Sequence, residues 1–151
     1  MSNVKIYIKA IAIPVIIGGI IGLIISPFID YNSLAKPPLS PPSMLFPIIW
    51  TILYILMGVS YGILKSNNLT NANIDQIYYL QLFFNALWSI IFFILKWRLL
   101  AAIWIIILAV LVLIMIIRFF NKNKVAGLLQ IPYLLWTIFA TYLNIGVYLL
   151  N

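Results

Sequence analysis

Hydrophobic residues dominate this chain in five long, continuous runs that short polar segments separate. A helix that crosses the hydrocarbon core of a bilayer needs about 20 mostly apolar residues, and each run approaches or exceeds that length. The runs contain no Asp, Glu, Lys or Arg and do not alternate with period two, which favours helices over a β-barrel. We therefore predict an all-α integral membrane protein, a five-transmembrane-helix bundle, with spans at 10–29, 44–64, 77–95, 99–117 and 125–150.

The segments between the runs are too short for a soluble domain, so we expect one membrane domain over residues 1–151. The first run follows Lys5 and Lys9, as the apolar part of a signal peptide would, but it is long and lacks a small-x-small cleavage site. We interpret it as a retained helix. The most distinctive connection is a proline-rich loop at 30–43, which carries Pro37, Pro38, Pro41 and Pro42.

Composition narrows the chemistry that the chain can perform. Only 7% of its residues are charged, whereas soluble domains have about 25%. Without Cys or His there is no disulfide, no thiolate nucleophile and none of the commonest metal ligands. Asp30 and Asp75 lie far apart in the sequence and do not suit a paired-carboxylate hydrolase. We expect no acid–base catalytic residues, no metal site and no cofactor.

Basic residues indicate how the bundle is oriented. The net charge of +7 is scattered singly between apolar runs, which favours juxtamembrane anchoring over nucleic-acid binding. Lys and Arg are enriched on the cytoplasmic side of membrane proteins. One side would carry Lys5, Lys9, Lys65, Arg118, Lys122 and Lys124, and the other Lys36, Lys96 and Arg98. We predict a cytoplasmic N-terminus, an external proline-rich loop and a bacterial plasma membrane location.

Three of the five runs carry aromatic and polar side chains along one helical face. Residues spaced by three or four positions share such a face. The three stripes consist of Trp50, Tyr54, Gly58 and Tyr61; of Gln81, Asn85 and Trp88; and of Tyr133, Trp136, Ala140 and Asn144. Each stripe can hold helices together through hydrogen bonds. Alternatively, the three converge on a cavity for a flat, mostly apolar ligand, which aromatic rings and a few polar groups would suit.

Two glycine pairs have the spacing that lets membrane helices approach closely. Gly18-x-x-x-Gly22 lies in the first run and Gly58-x-x-x-Gly62 in the second. These faces serve either packing within the chain or a homodimer.

Several motifs resemble the TspO/MBR family of tryptophan-rich sensory and translocator proteins. They are the loop Lys36-Pro37-Pro38-Leu39-Ser40-Pro41-Pro42, the second-run segment from Phe46 to Gly58 with its Trp50-Thr51-Ile52-Leu53-Tyr54, the third-run Gln81-Leu82-x-x-Asn85-x-x-Trp88, and the fifth-run Pro132-Tyr133-x-x-Trp136-x-x-Phe139-Ala140 followed by Asn144. The resemblance implies a five-helix bundle, commonly dimeric, that binds porphyrins, sterol-like lipids and aromatic drugs below the loop.

The resemblance also assigns residues. The positions that match the family's pocket are Trp50, Tyr54, Asn85, Trp88, Trp136, Phe139 and Ala140, and the stripes add Tyr133 and Asn144. Residues of the loop that would cover a ligand are Lys36, Pro37, Leu39, Pro41 and Pro42. We expect Lys36 to meet the propionates of a porphyrin, and, because His is lacking, we expect metal-free porphyrin rather than haem.

Four functional hypotheses follow. The first is a membrane receptor or sensor for tetrapyrroles and other flat lipophilic ligands. Some bacterial members of the family are reported to degrade protoporphyrin in light, which would assign Trp50 and Trp136 a catalytic role. A porphyrin or lipid carrier and a purely structural membrane protein are the others. Ion-coupled transport is disfavoured because the apolar runs contain no ionisable side chain.

Overall fold

The computed structural model describes residues 3–151, and these residues form helices and turns without any strand. Five segments are long and apolar enough to cross a membrane, which confirms the predicted fold class. The helices are α1 Asn3–Ile25, α2 Leu45–Ser66, α3 Ala72–Ser89, α4 Arg98–Lys122, α5 Lys124–Leu128 and α6 Ile131–Leu150. A π-helical turn, Ile90–Ile94, extends α3, and α5 and α6 together make the fifth span.

Several helices extend beyond the apolar runs. The first begins at Asn3 rather than at residue 10, because backbone hydrogen bonding continues into the interfacial region, where long side chains such as Lys5 and Lys9 reach water. Helix α3 begins at Ala72 rather than at residue 77. Its start is capped by Asn71, whose side chain accepts a hydrogen bond from the backbone N–H of Ile74 at 2.9 Å.

The fifth run is broken where the sequence places a proline. Pro132 has no N–H to donate to the carbonyl of Leu128, and its ring would crowd that carbonyl in a continuous helix. Helix α5 therefore ends at Leu128, and α6 begins at Ile131 with the proline in its first turn. At the other end of the bundle α1 stops before Pro27. A short 3-10 turn, Ser26–Phe28, leads into the proline-rich loop, which contains a second one, Tyr31–Ser33.

The helices are arranged in a ring. Helix α1 packs between α2 and α3, α3 packs on α4, α4 packs on α6, and α5 contacts α2. The Cα atoms of α2 and α6 remain more than 8 Å apart at nearly all positions. We call the end where residues 26–44 join α1 to α2 the loop end and the other the opposite end. Side chains from α2, α3, α4 and α6 fill the core.

The contact between α1 and α2 depends on glycine. A Cβ at Gly58 would lie 2.7 Å from the carbonyl oxygen of Ala10 and 2.9 Å from the nitrogen of Ile11, which are far inside van der Waals contact. Gly62 faces the ring of Tyr7, and Gly18 faces the ring of Tyr54. Three of the four glycines in the two pairs therefore serve packing within the chain, whereas nothing lies within 4 Å of a Cβ built at Gly22.

Candidate functional site

The structure brings the aromatic residues of the second and fifth spans together at the centre of the bundle. The ring of Trp50 lies 5.7 Å from that of Tyr54, nearly parallel to it, and 6.4 Å from each of Tyr133 and Trp136, edge to face. These separations lie within the range of favourable aromatic pairs. Two of the three predicted stripes therefore converge through their rings, and the gap between α2 and α6 is filled by them.

The same group of rings continues toward the loop end. Phe46 lies 5.7 Å from Trp136 and 5.1 Å from Tyr31, and Phe139 lies 5.6 Å from Trp136. We call Tyr31, Phe46, Trp50, Tyr54, Tyr133, Trp136 and Phe139 the aromatic cluster. Ala140 follows Phe139 in the sequence and is buried. It adds a small side chain to α6.

Two members of the cluster were not predicted. Phe46 precedes Trp50 by four positions and so continues its helical face, a signal that was present in the sequence. Tyr31 lies in a 3-10 turn of the loop, and no periodicity indicates where its ring points.

The third stripe meets the other two through hydrogen bonds. The hydroxyl of Tyr54 donates to Asn85 Oδ1 at 2.7 Å, and Asn85 Nδ2 donates to the hydroxyl of Tyr133 at 2.7 Å. The Tyr133 hydroxyl in turn donates to Gln81 Oε1 at 2.7 Å. We call these four residues the polar chain. A buried amide in a membrane requires such partners, so the chain both ties three helices together and forms a wall of the cluster.

Trp88 and Asn144 are hydrogen-bonded to each other. The indole N–H of Trp88 donates to Asn144 Oδ1 at 2.9 Å, and Asn144 Nδ2 donates to the carbonyl of Arg98, also at 2.9 Å. The ring of Trp88 stacks on Phe92 at 5.3 Å. Like Tyr54, Asn85 and Tyr133, these two predicted ligand-binding residues have polar atoms engaged between helices.

One donor in the aromatic cluster has no acceptor. Among the described residues, Trp136 Nε1 is buried and forms no hydrogen bond. An unpaired buried donor costs about 1–3 kcal/mol. A ligand with an acceptor at this position would remove that cost, so Trp136 can supply both a ring face and a directional contact.

The proline-rich loop closes the loop end over the cluster. Pro37 is buried against Gly146 of α6, where a Cβ would lie 2.7 Å from Pro37 Cβ. Tyr142 donates to the carbonyl of Pro38 at 2.7 Å, and Tyr31 donates to that of Pro41 at 2.5 Å. Burial raises the pKa of the Tyr31 phenol above its usual value, so this donor keeps its proton at neutral pH.

The remaining predicted loop residues have different environments. The Lys36 ammonium donates to the carbonyls of Tyr31 and Leu34 at 3.0 and 3.2 Å. These hydrogen bonds connect one part of the loop to another. Leu39 is 85% exposed and has a φ of 70°, a left-handed conformation that is unusual for a bulky residue. Pro42 is exposed as well.

An ion pair holds the beginning of the loop. Arg98 Nη2 donates to both carboxylate oxygens of Asp30 at 2.9 and 3.1 Å, and its guanidinium lies 4.7 Å from the centre of the Phe92 ring. Lys96 Nζ lies 3.5 Å from the same carboxylate but is half exposed. The sequence analysis did not predict this contact, because the partners are far apart along the chain.

Two open grooves lie on the outside of the bundle. One of about 650 Å³ follows α1 from Asn3 to Val15, and one of about 320 Å³ lies between α4 and α6. Neither is lined by a residue of the aromatic cluster. In the cluster itself the rings contact one another.

Together these features define an integral membrane protein with five spans, whose centre holds an aromatic cluster beneath a proline-rich loop. The model of the TspO/MBR family matches residues 10–150. The chain therefore belongs to the TspO/MBR family of tryptophan-rich sensory and translocator proteins, which confirms the resemblance.

Similar proteins occur in archaea, bacteria and a yeast. The tryptophan-rich protein TspO of Archaeoglobus fulgidus is 39% identical over 80% of this chain and 79% of its own length. The tryptophan-rich sensory protein of Cereibacter sphaeroides is 34% identical over 86% of this chain and 82% of its own. The translocator protein homolog of Schizosaccharomyces pombe is 36% identical over 95% of this chain and 90% of its own. The similarity thus covers all five spans.

Proposed function

We propose that this protein is a membrane receptor or sensor for tetrapyrroles and other flat lipophilic ligands, bound among α2, α3 and α6. The observation that carries the proposal is that the rings of Trp50 and Trp136 lie 6.4 Å apart, while the buried Trp136 indole N–H has no acceptor in the described part of the chain. Flat aromatic ligands stack on such rings. The names of the relatives, which include sensory and translocator proteins, agree with a receptor.

Binding would require the rings to separate. The backbones of α2 and α6 are more than 8 Å apart at nearly all positions, so side chains fill the space between them. Side chains can change rotamer without moving a helix. The loop would follow, since Phe46 contacts both Trp136 and Tyr31. Lys36 would have to exchange its carbonyl contacts for a ligand carboxylate.

Titration with metal-free protoporphyrin, monitored by tryptophan fluorescence in detergent, tests the proposal. We expect saturable quenching, and we expect the double variant Trp50→Phe, Trp136→Phe to weaken binding at least about tenfold, which corresponds to about 1.4 kcal/mol. Trp97→Phe is the matched control, because Trp97 is 58% exposed and lies between α3 and α4. Absence of saturable quenching, or equal affinity in the double variant and the control, would overturn the proposal.

Light-driven degradation of the porphyrin is a second candidate, because both implicated indoles, Trp50 and Trp136, lie in the same cluster and contact each other edge to face. The complex would be illuminated in oxygenated buffer while the absorbance of the porphyrin is followed. The activity is excluded if the porphyrin absorbance falls at the same rate as for free porphyrin in detergent. It is also excluded if the double variant degrades the porphyrin as fast as the unmodified protein does.

We also propose a bacterial plasma membrane location with the loop end outside. The fold puts Lys5, Lys65 and Lys122 at the opposite end of the bundle, and at the loop end Asp30 partly neutralises Arg98 and Lys96. The chain contains no Cys, so single cysteines report accessibility directly. Ser40→Cys should react with an impermeant maleimide in intact cells, and Asn68→Cys only after lysis; the reverse pattern would contradict this orientation.

We propose that two copies of the chain form a homodimer through the face of α1 that carries Gly22. Gly58 and Gly62 are occupied by α1 of the same chain, and Gly22 is the member of the two pairs with open space around it. Oxidative cross-linking of Gly22→Cys in membranes should yield a dimer. Gly62→Cys should give none if the bundle packs as described.

A further inference from the structure

A second group of buried polar side chains lies one helical turn from the polar chain, toward the opposite end. Tyr78 and Gln130 are 1% and 0% exposed. The hydroxyl of Tyr78 and both side-chain amide atoms of Gln130 have no hydrogen-bond partner within the described part of the chain. Buried polar groups are almost always paired with protein or ordered water, so two such residues indicate a ligand of some kind.

The helical register places these residues in one layer. Gln81 contacts Met57 Sδ at 3.5 Å and accepts from Tyr133 at 2.7 Å, so Met57, Gln81 and Tyr133 lie at one level. Helix α2 runs antiparallel to α3 and α6. About one helical turn closer to the opposite end, Met57 is followed by Ser60 on α2, and Gln81 and Tyr133 are preceded by Tyr78 and Gln130. We call Ser60, Tyr78 and Gln130 the inner layer.

Contacts at that level support the register. The ring of Tyr78 is held between Tyr61, at 4.4 Å, and Phe119, at 6.1 Å, both nearly parallel to it. The hydroxyl of Ser60 donates to the carbonyl of Ala126 at 2.6 Å, which brings α2 to the turn before Gln130. Tyr78 on α3 and Gln130, just before α6, thus lie at the same level of the bundle as Ser60 of α2.

We propose that the inner layer is a binding site for internal water, held by the Tyr78 hydroxyl and the Gln130 amide. Water fits this site because a hydroxyl and a primary amide offer both donors and acceptors and no charge, and because a buried water typically makes about three hydrogen bonds. The water extends the polar chain, which ends where Gln81 Nε2 donates to the carbonyl of Tyr78 at 2.8 Å. The site does not depend on the proposed ligand, since it lies beyond the aromatic cluster.

A double-variant cycle on thermal stability in detergent tests whether the two residues share one site. Tyr78→Phe keeps the stacked ring, and Gln130→Leu keeps a side chain of similar length. Each single variant should lower the melting temperature by a few degrees, because the water loses one hydrogen-bond partner while the remaining polar residue still needs the water. The double variant should lose clearly less than the sum, because the site becomes dry and apolar. Additive losses would overturn the proposal.

The matched control cycle pairs Tyr78→Phe with Thr137→Val. Thr137 is equally buried on α6, but its hydroxyl already donates to the carbonyl of Tyr133 at 2.7 Å. This second cycle should be additive, and coupling as large as in the first would mean that the first reports general loosening rather than a shared site.

A structure of the unmodified protein from a lipidic mesophase, at a resolution that shows ordered water, provides the direct test. We expect density within 3.5 Å of both Tyr78 Oη and the Gln130 amide. A direct hydrogen bond between the two side chains, with no density beside them, would overturn the proposal even if every variant failed to fold.

Discussion

Helix α2 has two sides that are packed in opposite ways. On the side that faces α1, Gly58 lets the backbones touch, and a single methyl group would lie 2.7 Å from the carbonyl oxygen of Ala10. On the side that faces α6, the backbones stay apart and the rings of Trp50, Tyr133 and Trp136 fill the space. Backbone contact cannot be adjusted without moving a helix, whereas rings can rotate. The first side therefore fixes the bundle, and the second is the side on which the proposed ligand would bind.

The largest expected effect is on the side that faces α1. Gly58→Leu must push α1 away, and we expect a loss of about 3 kcal/mol or more in unfolding free energy, because the neighbouring atoms are backbone and cannot move aside. Thermal unfolding and size-exclusion chromatography in detergent measure this. Gly19→Leu is the control, since nothing lies within 4 Å of a Cβ there. Equal stability of the two variants would contradict the packing described.

Opening the loop should change ligand kinetics more than stability. Gly146→Leu removes the place where Pro37 packs on α6, so the part of the loop around Pro37 would have to lift from the bundle. We expect porphyrin to dissociate about tenfold faster, a change of about 1.4 kcal/mol, in stopped-flow measurements. If dissociation is unchanged, the loop does not cover the ligand.

A smaller effect is expected at the ion pair that holds the loop. Arg98→Gln loses a two-oxygen contact to Asp30 and should cost about 2 kcal/mol, since both side chains are largely buried. Lys96→Gln should cost less than about 1 kcal/mol, because that ammonium is half exposed. Chemical or detergent denaturation of both variants gives the comparison. An equal cost would show that the geometry of the Arg98 contact contributes nothing beyond charge.

The smallest effect concerns one loop hydrogen bond. Tyr31→Phe removes the donor to Pro41 and should cost about 1 kcal/mol. Burial raises the pKa of Tyr31, so the contribution is present below the usual phenol pKa of about 10 and is lost as the pH rises through the higher folded value. The difference in melting temperature between the variant and the unmodified protein should be constant from pH 6 to about pH 9 and shrink at higher pH. A difference that shrinks already near neutral pH would contradict the burial of this phenol.

The spans and the individual stripes followed from the sequence because each depends on local spacing, whereas the spacing left open whether the stripes meet in one place or only hold neighbouring helices together. Length and hydropathy predict a membrane helix, and positions four apart share a face, which is how Trp50 and Tyr54 were placed together. Helix ends were less predictable, because caps such as Asn71 depend on single residues within polar or mixed segments.

Contacts between distant segments could not be predicted in the same way. Nothing in the spacing indicates that Asp30 meets Arg98, that Tyr31 turns onto Phe46 or that Trp88 is bound to Asn144. These contacts depend on how the loop folds back over the bundle and on which helices become neighbours. Gln130 is visibly polar within an apolar run of the sequence, but only the packed helices show that its amide is buried without a partner among residues 3–151.

The exposed apolar tip at Leu39 has a consequence for how affinity should be expressed. Under the proposed function, a loop that carries this leucine above the site would meet molecules already dissolved in the lipid rather than in the buffer. For a compound that partitions strongly into hydrocarbon, the relevant quantity is its mole fraction among lipids, so dissociation constants from different detergents and vesicles become comparable only after each is scaled by the volume of the apolar phase.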